Sequence, residues 1–236
     1  MLDAASLIKI GDYWGRKLDY WKDTIYYVRF RLLTGIRLIN WRQCREATRD
    51  PFMYFRDGFK PNPGQVILDI GSQYGDYALI WERKFKCTVY AFEASPENFT
   101  KLQKNISANR SDLKAYNVAI GNGGKIVFDF SGGMFHKSIE GQSIVTVRLD
   151  DWINKNNISP SLLKIDVEGA EYEALEGAED TIREAHPKII LETHSKALRE
   201  KCDTFLKRMG YSLSAEGRTV STKTNDEITN LFYLPG

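Results

Sequence analysis

One stretch of this chain says most about its fold: Leu163-Lys164-Ile165-Asp166-Val167-Glu168-Gly169-Ala170-Glu171. It reads as a short buried strand that ends in charged residues and turns at a glycine into an amphipathic helix. A strand buried on both faces of a parallel sheet is normally an unbroken apolar run, because charged side chains are costly to bury unless they are paired. Lys164 and Asp166 therefore indicate either a salt bridge inside the sheet or a site at the carboxyl end of the strand.

Around this stretch, strands and helices alternate from Gly64 to the end of the chain. The runs that predict parallel strands are Val66–Ile70, Thr88–Glu93, Leu113–Ile120, Leu162–Asp166 and Lys188–Glu192. Helices are predicted at about residues 75–84, 95–109 and 196–209, and from Leu149 and Ala170 onward. Lys125–Phe130 with Ile144–Val147 predicts an antiparallel excursion, and Tyr211–Ser214 with Asn230–Leu234 predicts an antiparallel C-terminal hairpin. The alternation predicts a doubly wound, mostly parallel α/β sheet, which binds ligands beyond the carboxyl ends of its strands.

The main domain is predicted to span residues 59–236, and residues 1–58 form an N-terminal helical extension. Between about Asp12 and Arg49 the extension is aromatic and basic, and large apolar residues recur at helical spacing: Trp14, Leu18, Trp21, Ile25, Val28 and Leu32. Such a stripe favours packing against its own domain or across a homodimer. Peripheral contact of residues 12–49 with an anionic membrane surface, or a share in a binding pocket, are the alternatives.

The composition argues against several classes of protein. A formal net charge of +2 gives no general reason to expect nucleic-acid or membrane binding. Cys44, Cys87 and Cys202 have neither zinc-site spacing nor a disulfide pattern. The N-terminus lacks the basic region and apolar core of a signal peptide, and no apolar run approaches the ~18 residues of a membrane span. A cytoplasmic protein is therefore expected.

The first predicted strand ends in Asp69-Ile70-Gly71, and a second glycine follows at Gly75. Gly71 allows a sharp turn and a close approach of the backbone to a ligand, and Gly75 lets the next helix start close against the sheet. The spacing differs from the G-x-G-x-x-G pattern that presents a helix to a pyrophosphate. Asp69 would also repel phosphate, whereas it suits the ammonium group of an amino acid.

The second predicted strand ends in Glu93, 22 positions after Gly71. A carboxylate at this strand end can accept two hydrogen bonds from a ribose diol. The alternative is that Glu93 merely begins the next helix turn. A ligand with a ribose, an amino-acid end and no phosphate is S-adenosylmethionine.

At these residues the chain resembles the class I S-adenosylmethionine-dependent methyltransferases and, more narrowly, the FkbM family. The resemblance covers roughly Phe55 to the C-terminus. It rests on six runs: Leu68–Gly71 with Gly75 and Tyr77, Phe92–Glu93 with Pro96–Asn98, Val118–Gly121, Leu149–Asp150, Lys164–Glu171 and Glu192–His194. The run Lys164–Glu171 is the most specific of them. One departure is Ser72-Gln73-Tyr74, where relatives more often have Ala-Asn-Ile/Val, so the side-chain contacts of that loop stay open.

The resemblance implies a Rossmann-like, seven-stranded methyltransferase sheet and methyl transfer from S-adenosylmethionine, commonly to a hydroxyl oxygen of a sugar or natural product. It implies that the cofactor is held by Asp69, Gly71, Ser72, Gly75, Tyr77, Glu93, Ala94, Asn117, Val118 and Ala119. The reacting end would involve Asp166, Glu168, Glu192 and His194.

A hydroxyl acceptor must lose its proton to a base within hydrogen-bond reach. His194 has a pKa class suited to that role, and Asp166 could serve instead or orient the histidine. The structural alternatives are that Lys164 and Asp166 form a buried pair and that Glu168 and Glu171 only favour a helix N-terminus. A divalent cation held by Asp166, Glu168, Glu192 and His194 is a third alternative, but nothing in the spacing demands one and no metal ligand is assigned.

The leading hypothesis is therefore an O-methyltransferase that acts on a glycan or a small natural product. An N-methyltransferase acting on protein or nucleic acid and a non-catalytic cofactor-binding scaffold are the alternatives. Nucleic acid is the less expected partner. His136 lies in a segment that could face the substrate, although a solvated loop histidine is the simpler interpretation.

Overall fold

A seven-stranded sheet forms the centre of the protein in the computed structural model, which describes residues 24–39, 50, 52–56, 58–129, 136–220 and 227–236. Five of its strands are β1 (Val66–Ile70), β2 (Thr88–Phe92), β3 (Lys114–Tyr116), β7 (Leu162–Ile165) and β8 (Lys188–Thr193), and these pair in parallel. Two more, β9 (Tyr211–Val220) and β10 (Glu227–Pro235), form the antiparallel C-terminal hairpin, and β10 pairs with β8. The strand order is β3-β2-β1-β7-β8-β10-β9.

The described helices comprise one that precedes β1 and six that follow it and connect the strands. They are α1 (residues 24–34), α2 (Asp76–Phe85), α3 (Pro96–Asn109), α4 (Leu149–Asn156), α5 (Glu171–Glu176), α6 (Glu179–Ala185) and α7 (Lys196–Arg208). Two apolar clusters that contain residues of the central strands form the core. The predicted doubly wound, mostly parallel seven-stranded sheet with an antiparallel terminal hairpin is confirmed.

The strand order reverses between β1 and β7. β2 and β3 lie on one side of β1, whereas β7 and β8 lie on the other side, so the connections leave the sheet in opposite directions. The carboxyl ends of β1, β2, β7 and β8 meet at one edge because all four strands are parallel. This edge is where open α/β sheets bind ligands.

A small antiparallel sheet lies outside the main one. Its strands are β4 (Lys125–Asp129), β5 (His136–Lys137) and β6 (Gln142–Val145), in the order β5-β4-β6. The pairing of β4 with β6 was predicted, but β5 was missed because two residues carry no periodicity. Residues 130–135 lie outside the described part of the chain.

Two predicted elements differ from the structure. The third strand was expected over Leu113–Ile120 but comprises only Lys114–Tyr116, and Ile120 makes an isolated bridge to Val147. The helix expected from Ala170 onward is divided at Gly177, where a Cβ would lie 1.9 Å from the carbonyl oxygen of Gly121. The loop at Gly121 packs too closely there for a regular helix carrying side chains to pass.

The described part of the N-terminal extension packs on the main domain through a face different from the predicted stripe. Phe30 is fully buried in the core, whereas Ile25, Val28 and Leu32 are 64%, 51% and 81% exposed. Helix α1 ends at residue 34, followed by Gly35 at φ 72°. The predicted helical residues 12–23 and 40–49 lie outside the described residues, and the boundary at residue 58 stays a prediction. No helix among the described residues is long and apolar enough to cross a membrane.

Candidate active site

The turn after β1 is held against two neighbouring strands. The backbone N–H groups of Gly71 and Ser72 both donate to the carbonyl oxygen of Phe92, at 2.9 Å each. Gly71 has φ 81°, and a Cβ at this position would lie 1.7 Å from the carbonyl oxygen of Asp166. Only glycine fits at this position, because the backbone after β7 passes so close to it. The sequence did not reveal this contact.

The second glycine of the motif serves helix packing. Gly75 is the N-cap of α2 with φ 74°, and a Cβ there would lie 2.2 Å from Cδ1 of Leu102 on α3. The expectation was that Gly75 lets the helix start close against the sheet. The closest contact is instead with the neighbouring helix α3, so the two glycines fix the loop from opposite sides.

Glu93 lies at the end of β2 and faces this loop. Its Oε2 accepts the N–H of Gln73 at 2.9 Å, and its Oε1 accepts the N–H of Ser95 at 2.8 Å. Burial raises the pKa of Glu93 to about 7, although the two backbone donors oppose that shift. The carboxylate thus joins the loop after β1 to the start of α3, so Glu93 does more than begin a helix turn.

Lys164 is almost fully buried, and its charge links Asp69 at the end of β1 to Asp166 after β7. Its Nζ lies 3.0 Å from Asp166 Oδ2, 3.6 Å from Asp69 Oδ1 and 3.2 Å from the carbonyl oxygen of Gly71. Burial lowers the pKa of Lys164, but the carboxylates of Asp166, Asp69 and Glu192 outweigh it and raise the pKa above its ordinary value. The salt bridge expected inside the sheet is therefore present, and it lies at the carboxyl end of β7, where a site remains a prediction.

The other residues predicted to hold a cofactor lie around this loop or at the end of β3. Ser72 is buried and Ala94 is half-buried. Asn117 is exposed, and its side-chain amide donates to the carbonyl oxygens of Glu93 and Ala94 at 2.8 and 3.2 Å. Val118 and Ala119 follow Asn117 directly in the chain. Their contact with a cofactor stays a prediction.

Tyr77 occupies a different environment from the loop. It is buried on α2, its hydroxyl donates to the carbonyl oxygen of Asp50 at 3.0 Å, and its ring packs against Tyr54 with centroids 4.5 Å apart. Tyr54 is itself 1% exposed, and its hydroxyl donates to Glu192 Oε2 at 3.4 Å. Nothing in the sequence signalled Tyr54, because it lies outside every motif.

At the carboxyl ends of β7 and β8 lies a group that we call the acid–histidine cluster: Asp166, Glu168, Glu171, Glu192 and His194. Nε2 of His194 is 3.3 Å from Glu168 Oε2, 3.6 Å from Glu192 Oε1 and 3.8 Å from Asp166 Oδ1. The structure therefore brings together all four residues that were predicted for the reacting end.

Glu171 orients the histidine. It is fully buried, and its Oε1 lies 3.0 Å from His194 Nδ1 while also accepting the N–H groups of Gly169 at 3.0 Å and Val167 at 3.3 Å. The sequence indicated Glu171 only as a residue that favours a helix N-terminus. Its role could not be predicted, because the contact joins β8 to α5 across the sheet edge.

The charges of the cluster shift the protonation of two members. Burial lowers the pKa of His194, but the hydrogen bond and charge of Glu171, with the charges of Asp166 and Glu168, raise it to about 10. Burial and the charge of Asp166 raise the pKa of Glu168 to about 7. The surrounding carboxylates therefore favour the protonated form of His194.

Two strained backbone positions lie at the same edge. Among the described residues, six other than glycine have positive φ, and four of these are helix C-caps: Lys86, Arg110, Asn157 and His186. The remaining two are Gln73, at φ 50° beside Glu93, and Glu168, at φ 52° in the cluster. Such conformations cost about 1–3 kcal/mol and persist at sites where the surroundings enforce them.

The small sheet ends next to the strained turn. The N–H of Lys137 in β5 donates to the carbonyl oxygen of Glu168 at 2.8 Å, and Lys137 Nζ pairs with Glu173. The backbone of β5 therefore contacts Glu168 of the acid–histidine cluster, and a substrate-side role for the segment that contains His136 stays a prediction. The preceding residues 132–135 lie outside the described part of the chain.

The cluster also has the donor set of a metal site. Asp166, Glu192 and His194 each offer one atom, and these three atoms lie within 4.8 Å of one another.

Asp150, from another motif of the sequence, has a structural role: its carboxylate accepts the backbone N–H groups of Asp180 and Thr181 at the start of α6.

Comparison with curated proteins finds relatives among methyltransferases. The chain is 29% identical over 137 residues to the hexuronic acid methyltransferase AglP of Haloferax volcanii, covering 55% of this chain and 56% of that protein. It is 28% identical over 181 residues to the 31-O-demethyl-FK506 methyltransferase FkbM of Streptomyces tacrolimicus, covering 60% of this chain and 70% of that protein.

Among solved structures, the methyltransferase FkbM of Methylobacillus flagellatus shares this fold, with a TM-score of 0.55 and 21% identity. The match covers 76% of this chain but 47% of that one, so the chain spans about half the length of that relative. The family model described as the methyltransferase FkbM domain matches residues 69–213, from the carboxylate beside Gly71 to the C-terminal hairpin. This chain belongs to the FkbM methyltransferase domain family.

Proposed function

We propose that the protein transfers a methyl group from S-adenosylmethionine to a hydroxyl oxygen of a glycan or a small natural product. The observation that carries the proposal is the arrangement at one sheet edge of two groups of carboxylates. Asp69 and Glu93 flank the Gly71 turn, and the acid–histidine cluster follows at the ends of the next two strands.

The residues on the β1 side fit the cofactor. Oδ1 of Asp69 is buried without a hydrogen-bond donor, and its 3.6 Å separation from Lys164 Nζ is an ion-pair distance. It can therefore accept from the ammonium group of the methionine moiety. Glu93 can exchange its bonds to backbone N–H groups for those of a ribose diol. When bound, S-adenosylmethionine would supply a methyl group on a sulfonium, ready for displacement by an oxygen.

The cluster fits the acceptor side. A hydroxyl oxygen must be aligned with the methyl carbon and must lose its proton as the C–O bond forms and the C–S bond breaks, with the electron pair passing to sulfur. Of the cluster's four carboxylates, Glu168 has the most exposed side chain, at 32%. Its strained turn presents it toward solvent, so we assign it as the acceptor of the hydroxyl proton. Asp166 lies beside it and positions the acceptor.

The relatives support oxygen as the target. One is named for a hexuronic acid, a sugar acid rich in hydroxyl groups, and another for the 31-O position of FK506. The clustering of carboxylates also favours an acceptor that carries several hydroxyl donors, because ionised carboxylates only accept hydrogen bonds.

The test measures binding and turnover separately. Calorimetry with S-adenosylhomocysteine should show binding by the wild type and a marked loss in Glu93→Ala. With hexuronic acids and hydroxylated macrolides as acceptors, Glu168→Gln should lower kcat by about 10²–10⁴-fold while cofactor affinity is retained. An absence of binding, or labelled methyl appearing on protein or RNA and on no hydroxyl compound, would contradict the proposal.

A further inference from the structure

We infer that Asp166, Glu192 and His194 bind a divalent metal ion on the acceptor side of the site. The ligands are Oδ1 of Asp166, Oε1 of Glu192 and Nε2 of His194, which converge within 4.8 Å. Metal binding itself is independent of the proposed methyl transfer, whereas the catalytic use of the ion rests on that function.

The histidine is held as metal-binding histidines are. Glu171 fixes the Nδ1 side of the ring at 3.0 Å and is itself fixed by two backbone donors, so Nε2 is directed toward the other carboxylates. A carboxylate that orients the distal nitrogen of a histidine is the usual outer-shell partner of a metal ligand. Because Glu171 is fully buried, the ring orientation is set before any ion arrives.

Asp166 supplies a second, independent observation. Its Oδ2 is occupied by Lys164 at 3.0 Å, but its Oδ1 is a buried atom with no hydrogen-bond partner. That atom lies 3.8 Å from His194 Nε2, too far for a hydrogen bond and suitable for two ligands of one ion. An unsatisfied carboxylate oxygen in a buried position is costly, and an ion between the two atoms would remove that cost.

The donor set decides the class of metal. Calcium and magnesium prefer sites built from oxygen ligands, whereas an imidazole favours first-row transition metals. Two carboxylates and one imidazole suit Mn²⁺ or a neighbouring divalent ion. Three protein ligands also leave coordination positions open for an acceptor oxygen.

The role of the ion follows from those open positions. A hydroxyl oxygen bound to the cation is more acidic than in water, since the charge stabilises the alkoxide. Its proton would pass to Glu168, which lies beside the ligands at 3.3 Å from Nε2 and is not needed as one. The oxygen then forms its bond to the methyl carbon as the C–S bond breaks, which leaves S-adenosylhomocysteine and a methyl ether.

The test titrates the cofactor-free protein with MnCl₂ and follows the loss of the free Mn²⁺ signal by electron paramagnetic resonance. We expect stoichiometric binding by the wild type, weakened at least about tenfold in Glu192→Gln and in His194→Gln. Glu171→Gln should lower the affinity about 10–100-fold by releasing the ring. Glu184→Gln, an exposed carboxylate on α6, is the matched control and should bind as the wild type does.

Folding and cofactor binding are followed in the same variants. Circular dichroism shows that each is folded, and calorimetry with S-adenosylhomocysteine should give unchanged affinity in Glu192→Gln. Glu93→Gln should show the reverse pattern, with weakened cofactor and unchanged Mn²⁺. Mn²⁺ binding without S-adenosylhomocysteine binding would refute the proposed function and leave the metal site standing. No Mn²⁺ binding, equal binding by all variants, or a preference for Ca²⁺ would overturn the metal site as described.

Discussion

Replacing Lys164 by methionine tests how far the buried charges hold the site together. The substitution keeps the length and apolar stem of the side chain but removes the cation from Asp69 and Asp166. At 3.0 and 3.6 Å, each pairing is worth about 5 kcal/mol at an effective dielectric constant of 20, before desolvation is subtracted. Removing one partner of a buried pair typically costs about 3–5 kcal/mol.

That loss is large beside the roughly 5–15 kcal/mol that stabilises a folded domain. We expect urea unfolding at pH 7.5 to show Lys164→Met destabilised by about 3–5 kcal/mol. The triple variant that also carries Asp69→Asn and Asp166→Asn leaves no charge at these three positions and should recover most of the loss. Lys196→Met removes an 83%-exposed partner of Glu200 and should stay within about 0.5 kcal/mol of wild type.

The reasoning fails if Lys164→Met unfolds within about 1 kcal/mol of the wild type, because an unpaired buried carboxylate costs more than that. It fails equally if the triple variant is less stable than the single one. In that case Lys164 would act through its hydrogen bond to the Gly71 carbonyl rather than through charge.

Two further predictions concern the loop after β1. Because the pKa of Glu93 is about 7, its carboxylate becomes protonated as pH falls, and the affinity for S-adenosylhomocysteine should drop about tenfold between pH 8 and pH 6. In calorimetry, Glu93→Gln should bind weakly, with an affinity that does not change over that range. An equal pH dependence in both proteins would show that another group titrates. Gly71→Ala places a Cβ 1.7 Å from the carbonyl oxygen of Asp166 and should lower Tm and abolish cofactor binding. Gly64→Ala has a similar φ, 84°, but no atom within 4 Å, so its cost should be only the backbone strain of about 1–2 kcal/mol; equal losses in thermal unfolding would show that the contact is unimportant.

The fold was largely predictable because the central strands are short apolar runs separated by helices. β1, β2, β7 and β8 were predicted within about one residue of their observed ends, as their residues face the core on both sides. The failures occur where long-range contacts override local pattern. The division of the helix at Gly177 depends on the backbone of Gly121, some fifty residues earlier in the chain.

The sequence could predict that the candidate site residues lie close together, but it could not predict their arrangement. Ionised groups at the ends of parallel strands must meet at one edge, so Asp69, Glu93, Asp166 and His194 could be grouped from the sequence. The orientation of the histidine by Glu171 and the contact of Gly71 with Asp166 depend on exact loop geometry. Residue type and spacing carry no information about such contacts.

The hydrogen bond from Lys164 to the carbonyl oxygen of Gly71 joins positions 93 residues apart. Closing so long a loop is slow, since its entropy is lost before the contact contributes any energy. The loop after β1 therefore acquires its final shape only after β7 has inserted beside β1. A chain still emerging from the ribosome would form its glycine turn early, but the shape of that turn would be fixed only later. A fixed conformation at Gly71 thus requires that the strand order around β1 and β7 is complete.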